Sequence, residues 1–176
     1  MRKLFITLLM PAFILVILSG CGTSQNTSTT AAETNNSKEG NVDMLFDAPS
    51  FSRISSKELE EKMGKPEDVE EWKFNDKYDT KTYIYDSGNV EFMVIDDTVV
   101  RFSYYPVDQK IKDINDLFPM FGIQAGENIK KVADTGMAVK YHTVSDKIGE
   151  FYTLFDSSEE KTLSVIKVTY DLRYFE

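Results

Sequence analysis

The sequence predicts an α+β domain, two tandem helix-plus-antiparallel-strands repeats forming one antiparallel sheet with short helices on one face. Three observations carry this reading. A short helix is marked at both ends by capping residues. Several segments then alternate in the manner of strands and are separated by Asp- and Gly-rich turns. The same scheme recurs 58 residues later.

The first helix is the best-specified element. Ser55 and Glu58 form a capping box, and Ile54 with Leu59 completes a hydrophobic staple. Leu59 and Met63 share one helical face, Gly64 supplies a left-handed C-cap and Pro66 prevents continuation, so the helix covers about 56–63. Strands are expected at Trp72 to Phe74, Thr80 to Tyr85, Val90 to Ile95 and Val99 to Tyr105, with turns at Asp86-Ser87-Gly88-Asn89 and Asp96-Asp97-Thr98. A three-residue loop in the second turn would gather Val90, Phe92, Val94, Val100, Phe102 and Tyr104 on one apolar face. It is preferred because register follows the buried face.

In the second half Asp113, Asp116, Leu117, Phe121 and Gly122 repeat Ser55, Glu58, Leu59, Met63 and Gly64, and Tyr141 repeats Tyr83. Ile166 to Tyr170 matches Val100 to Tyr104 at an offset of 66, implying a longer loop around Asp156 to Lys161. Pro119 should shorten or distort the second helix. The repeats run from about 54 to 106 and 112 to 171, inside a globular domain of residues 47–176.

The N-terminus is of a different kind. Arg2 and Lys3 precede fifteen mostly apolar residues, Leu4 to Leu18. That run falls short of the roughly 20 residues a membrane-crossing helix needs, and its basic flank matches a signal peptide over residues 1–20. Leu18-Ser19-Gly20-Cys21 resembles the lipobox of bacterial lipoproteins. The resemblance implies cleavage before Cys21 and lipid on its thiol, hence a palmitate-type membrane anchor on the extracytoplasmic side. Gly22 follows, where some inner-membrane lipoproteins carry aspartate. An outer-membrane anchor is therefore open as well as the outer face of a single membrane. Residues 21–46 read as the lipidated cysteine and a flexible linker rich in Ser, Thr, Asn and Gly, spanning about 27 Å root-mean-square.

The capped helix ending in Gly64-Lys65-Pro66, followed by Trp72, is similar to the small lipoproteins of outer-membrane assembly and to the fold they share with β-lactamase-inhibitor protein. That resemblance implies two repeats side by side, with an open sheet face.

Composition narrows the function. The chain carries −9, and without Arg2 and Lys3 the remainder carries −11, which argues against nucleic acid and against adhesion to anionic lipid. Cys21 is the single cysteine and His142 the single histidine, and no Gly-x-Ser-x-Gly elbow is present, so thiol and triad chemistry have no apparent basis. Zinc lacks a ligand cluster. Asn75-Asp76-Lys77-Tyr78-Asp79 has oxygen ligands but no calcium-loop glycine, and reads as a turn. No cofactor, metal or enzymatic activity is expected.

The remaining lead is aromatic: twelve Phe, nine Tyr and one Trp, many on strands. The preferred register turns Met93, Arg101 and Tyr105 to the open side, near Tyr83 or Tyr85, as a partner-binding patch. The expectation is a non-catalytic, membrane-anchored envelope module binding a protein or peptide. The alternative is a receptor for a small molecule or cell-wall fragment, or a carboxylate-based hydrolase.

Overall fold

The structure, a computed structural model, describes residues 42–157 and 161–176. The expected signal segment 1–20, Cys21 and the tether through residue 41 lie outside the described residues.

Eight strands form the body of the domain: β1 (Asp68–Phe74), β2 (Tyr78–Tyr85), β3 (Val90–Ile95), β4 (Thr98–Tyr104), β5 (Lys130–Asp134), β6 (Ala138–His142), β7 (Glu150–Phe155) and β8 (Leu163–Thr169). They make one antiparallel sheet in the order β1-β2-β3-β4-β8-β7-β6-β5. Two four-stranded meanders therefore meet along β4 and β8, where Phe102 lies opposite Val168.

This corrects the expected fold class. The chain is a β-rich, single-sheet fold and not an α+β assembly of helix-plus-strand repeats. Helix α1 (Ser56–Met63) has both halves of its capping box and stops at Gly64, whose φ is 82°. Its intended counterpart, α2 (Leu117–Met120), is a single turn of four residues. Asp113 caps the backbone N–H of Asn115, but it opens a 3-10 turn rather than a helix. Pro119 brings no N–H and crowds the carbonyl four residues earlier, so the turn cannot extend toward its N-terminus, and Gly122 at a φ of 65° ends it on the other side.

The main core lies on one face of the sheet. Leu59 of α1, Leu117 of α2, Phe121 and the 3-10 turn Ala48–Phe51 pack there on Phe92, Phe102, Phe151 and Ile166. Burying each such side chain contributes roughly 1.5–3 kcal/mol. Phe46, the last residue of the segment read as linker, is half-buried, with its ring 4.5 Å from Phe102 and 5.0 Å from Phe51. The buried Tyr170 hydroxyl donates to the Ala48 carbonyl at 2.7 Å and ties this N-terminal segment to the end of β8.

The β3–β4 turn also departs from expectation. It is a two-residue loop, with Asp96 and Asp97 both at positive φ (51° and 54°), as in the type I′ turns that suit twisted hairpins. On its own this loop would leave Phe102 on the wrong face. The ladder instead shifts between Met93 and Val94, so that Val94 faces Val99 while Met93 faces Arg101. The extra residue of this β-bulge restores Phe92 opposite Phe102 and Val90 opposite Tyr104. Val99, not Val100, joins the main core, and Val100 joins Met93 and Ile95 in a smaller cluster.

Candidate functional site

Antiparallel registry aligns side chains in rows across the sheet, and the face opposite the main core carries two adjacent rows. One runs Glu70, Thr82, Met93, Arg101, Thr169, Glu150, His142 and Lys130, contributed by strands β1 through β5 in sheet order. The next runs Ile84, Glu91, Ser103, Lys167, Tyr152 and Lys140. An acidic protein thus gathers several of its cations on one face, among hydroxyls and rings.

One end of this face is covered. The last residues pack over the smaller cluster: Phe175 lies 5.1 Å from Phe74, Tyr174 lies 5.0 Å from Tyr78, and the Tyr174 hydroxyl donates to Asp96. Beyond that cover lies a cleft of about 190 Å³ lined by Trp72, Glu91, Met93, Arg101, Tyr105 and Lys167, among others.

Its walls are held by specific bonds. The Trp72 indole N–H donates to Thr82 at 3.0 Å, and the Tyr105 hydroxyl donates to Glu91 at 3.0 Å. Arg101 is held on two sides. Its Nε donates to Thr169 at 3.1 Å, and its guanidinium carbon sits 3.7 Å from the centre of the Phe175 ring. Burial pushes the Arg101 guanidinium below its ordinary value and the Tyr105 hydroxyl above its own. Burial also lowers the Lys167 ammonium, and the neighbouring Arg101 charge adds to that effect. Further along the row, Glu150 is buried and accepts from Lys140 at 3.0 Å, with His142 at 3.1 Å.

The structure brings together three of the five expected patch residues, Met93, Arg101 and Tyr105. It places Tyr83 and Tyr85 on the opposite face. Both are buried in the main core, opposite Phe92 and Val90, and the Tyr85 hydroxyl donates to the Gly64 carbonyl at 3.3 Å. Strand alternation dictates this, since Thr82 is the β2 residue that faces Met93. Arg101 is also less free than expected, because Phe175 covers it.

Sequence reasoning did not single out Lys167, Glu91 or Glu150. A signal for Lys167 was present, because the offset of 66 that matches Val100 to Tyr104 with Ile166 to Tyr170 sets Lys167 against Arg101. His142 is a strand residue whose Nε2 lies 3.1 Å from the Glu150 carboxylate, and Asn75 and Asp76 lie in the β1–β2 hairpin turn at positive φ.

A second, larger depression of about 600 Å³ lies near the β3–β4 turn, lined by Ser56, Glu71, Lys73, Asp79, Lys81 and Asp97, with Tyr83 and others. Its carboxylates are engaged. Glu71 pairs with Lys81 at 2.9 Å, Asp79 with Lys73 at 2.7 Å, and Asp97 accepts from the Ser56 hydroxyl. Among the described residues no cluster of His, Cys, Asp and Glu is placed to hold a metal ion. No helix there is long and apolar enough to cross a membrane.

No protein-family description and no curated protein matches the chain. Among solved structures, it is similar to an extracellular protein containing an SCP domain from Bacillus anthracis str. Ames, at 15% identity and a TM-score of 0.43, over 81% of this chain and 50% of that one. The chain spans about half the length of the solved structure it matches.

Proposed function

We propose that this chain is a lipid-anchored, extracytoplasmic module that binds a protein or peptide on the open face of its sheet and performs no catalysis. The observation that carries the reading is the cleft lined by Met93, Arg101 and Tyr105, where rings and partly buried polar groups border an opening beside the cover of the C-terminal residues. Interfaces favour this mixture, because rigid aromatic and guanidinium groups bury large areas at little entropic cost. Anchoring rests on the lipobox-like Leu18-Ser19-Gly20-Cys21.

A photo-crosslinking residue at Tyr152, on the open face, should capture a partner in intact cells, whereas one at Lys57 on α1 should not. Capture from Lys57 alone would move the interface to the helical side and end this reading. In parallel, Cys21→Ala should remove lipid label and release the chain from the membrane fraction. Retention in the membrane with undiminished label would refute the anchor.

The depression near the β3–β4 turn supports a second reading, a receptor for a small polar molecule, because its volume falls in the range of ligand pockets. A hydrolytic role there is less well supported, since Glu71, Asp79 and Asp97 already hold partners.

A further inference from the structure

We infer that Arg101 and Lys167 form a carboxylate-binding subsite for an acidic peptide segment lying along the open face. This rests on the proposed binding role of that face and gives it a ligand chemistry.

The two cations belong to neighbouring strands. Arg101 pairs with Thr169, and Lys167 with Ser103, so they occupy diagonal positions on one face of the β4–β8 seam. Their like charges repel at this spacing, and both are partly withdrawn from water. A buried cation is ordinarily matched by a carboxylate. Here, among the described residues, no carboxylate lies within ion-pair distance of either. Glu91 and Glu150 favour the charged form of Lys167, and Glu150 that of Arg101, only from beyond ion-pair distance. Glu91 accepts from the Tyr105 hydroxyl and Glu150 contacts Lys140 and His142.

Arg101 is also oriented for this task. The Phe175 ring sits against the guanidinium and Thr169 takes Nε, which among the described residues leaves both Nη atoms without a hydrogen-bond partner. That is the fork that binds a carboxylate through two parallel bonds. Lys167 supplies a second charge within the same cleft, and Trp72, Met93 and Tyr105 supply apolar walls for the flanking side chains of a peptide. A carboxylate here would relieve the repulsion between the two cations, so charge complementarity favours an acidic peptide over a basic or neutral one.

The test uses the full chain in neutral detergent and a fluorescein-labelled, N-acetylated, C-amidated peptide of alternating Glu and Tyr, beside its Gln analogue. The Glu peptide should bind roughly tenfold or more tightly than the Gln peptide. Lys167→Gln should abolish most of that preference, Lys167→Arg should keep it, and Lys57→Gln on the helical side should leave it unchanged. Arg101→Gln should act like Lys167→Gln, but the latter is decisive because, among the described residues, the Lys167 ammonium makes no cation–π contact. Equal binding of both peptides, no binding at about 1 mM, or an unaltered preference in Lys167→Gln would each overturn the subsite. So would Lys167-dependent binding to phosphatidylglycerol vesicles in place of the peptide. If the Tyr152 crosslink captured the same partner in wild type and Lys167→Gln, the binding face would stand and this subsite would not.

Discussion

The guanidinium carbon of Arg101 lies over the ring of Phe175, 3.7 Å from its centre, joining the middle of the sheet to the C-terminal residues. Phe175 also meets Phe74, so one ring closes the smaller apolar cluster and fixes the cation that borders the cleft. Phe175→Ala should lower stability by about 1–2 kcal/mol, from the lost burial and the lost cation–π contact. Phe175→Leu, which keeps most of the apolar contact, should lose about half as much. Urea unfolding midpoints measure both.

Val99 and Val100 on β4 point to opposite faces and both are buried, Val99 in the main core and Val100 in the smaller cluster under the C-terminal residues. Val99→Ala and Val100→Ala should therefore each cost roughly 1–3 kcal/mol. A strand with one face in water would show one costly substitution and one nearly silent one. Thermal or urea denaturation of the two variants separates these outcomes.

Tyr170 is fully buried, and burial pushes its hydroxyl well above the ordinary tyrosine value of 10.0. Tyr85 is pushed up to about 12, also mainly by burial. In the unfolded chain these hydroxyls ionise near pH 10, before they do so in the folded one. Their contribution is therefore complete below pH 10 and is lost as the pH rises, for Tyr85 through about 12. At neutral pH Tyr170→Phe should cost about 1–2 kcal/mol, because it leaves the Ala48 carbonyl without its donor. Above pH 10 the gap between wild type and variant should narrow, as followed by circular dichroism across an alkaline titration.

Thr153 lies on the core face of β7 between Val139 and Ile166, fully buried, with no hydrogen-bond partner for its hydroxyl among the described residues. Val has nearly the same shape and no polar atom to desolvate. Thr153→Val should raise stability by about 1 kcal/mol, read as a higher urea midpoint with an unchanged slope.

Local signals made much of the sheet legible. Ser55 with Glu58 and Gly64 set the limits of α1, and the Asp-rich turns separated β2, β3 and β4 close to their observed bounds. The overall class was not legible, because a repeated capping pattern promised a second helix where Asp113 opens only a 3-10 turn and Pro119 keeps the single turn after it from joining it as one longer helix. The faces of β2 were ambiguous for a different reason. Thr82 and Ile84 on one side, Tyr83 and Tyr85 on the other, offer little contrast in polarity, so alternation alone could not say which pair faced the core. The bulge between Met93 and Val94 and the cover of Phe175 over Arg101 depend on packing between distant segments, which no local pattern encodes.

The seam between the two meanders has a consequence for how the domain assembles. Within each meander the strands are neighbours in sequence, so hairpins can close through short turns in microseconds. The seam instead joins residues roughly 65 positions apart, Tyr104 to Ile166 and Arg101 to Thr169. Until it closes, β4 and β8 each present an unpaired edge on a largely apolar strand, the form of exposed backbone most prone to recruit another chain. The slow step of folding is therefore also the vulnerable one, and it occurs on the strands that carry Arg101 and Lys167.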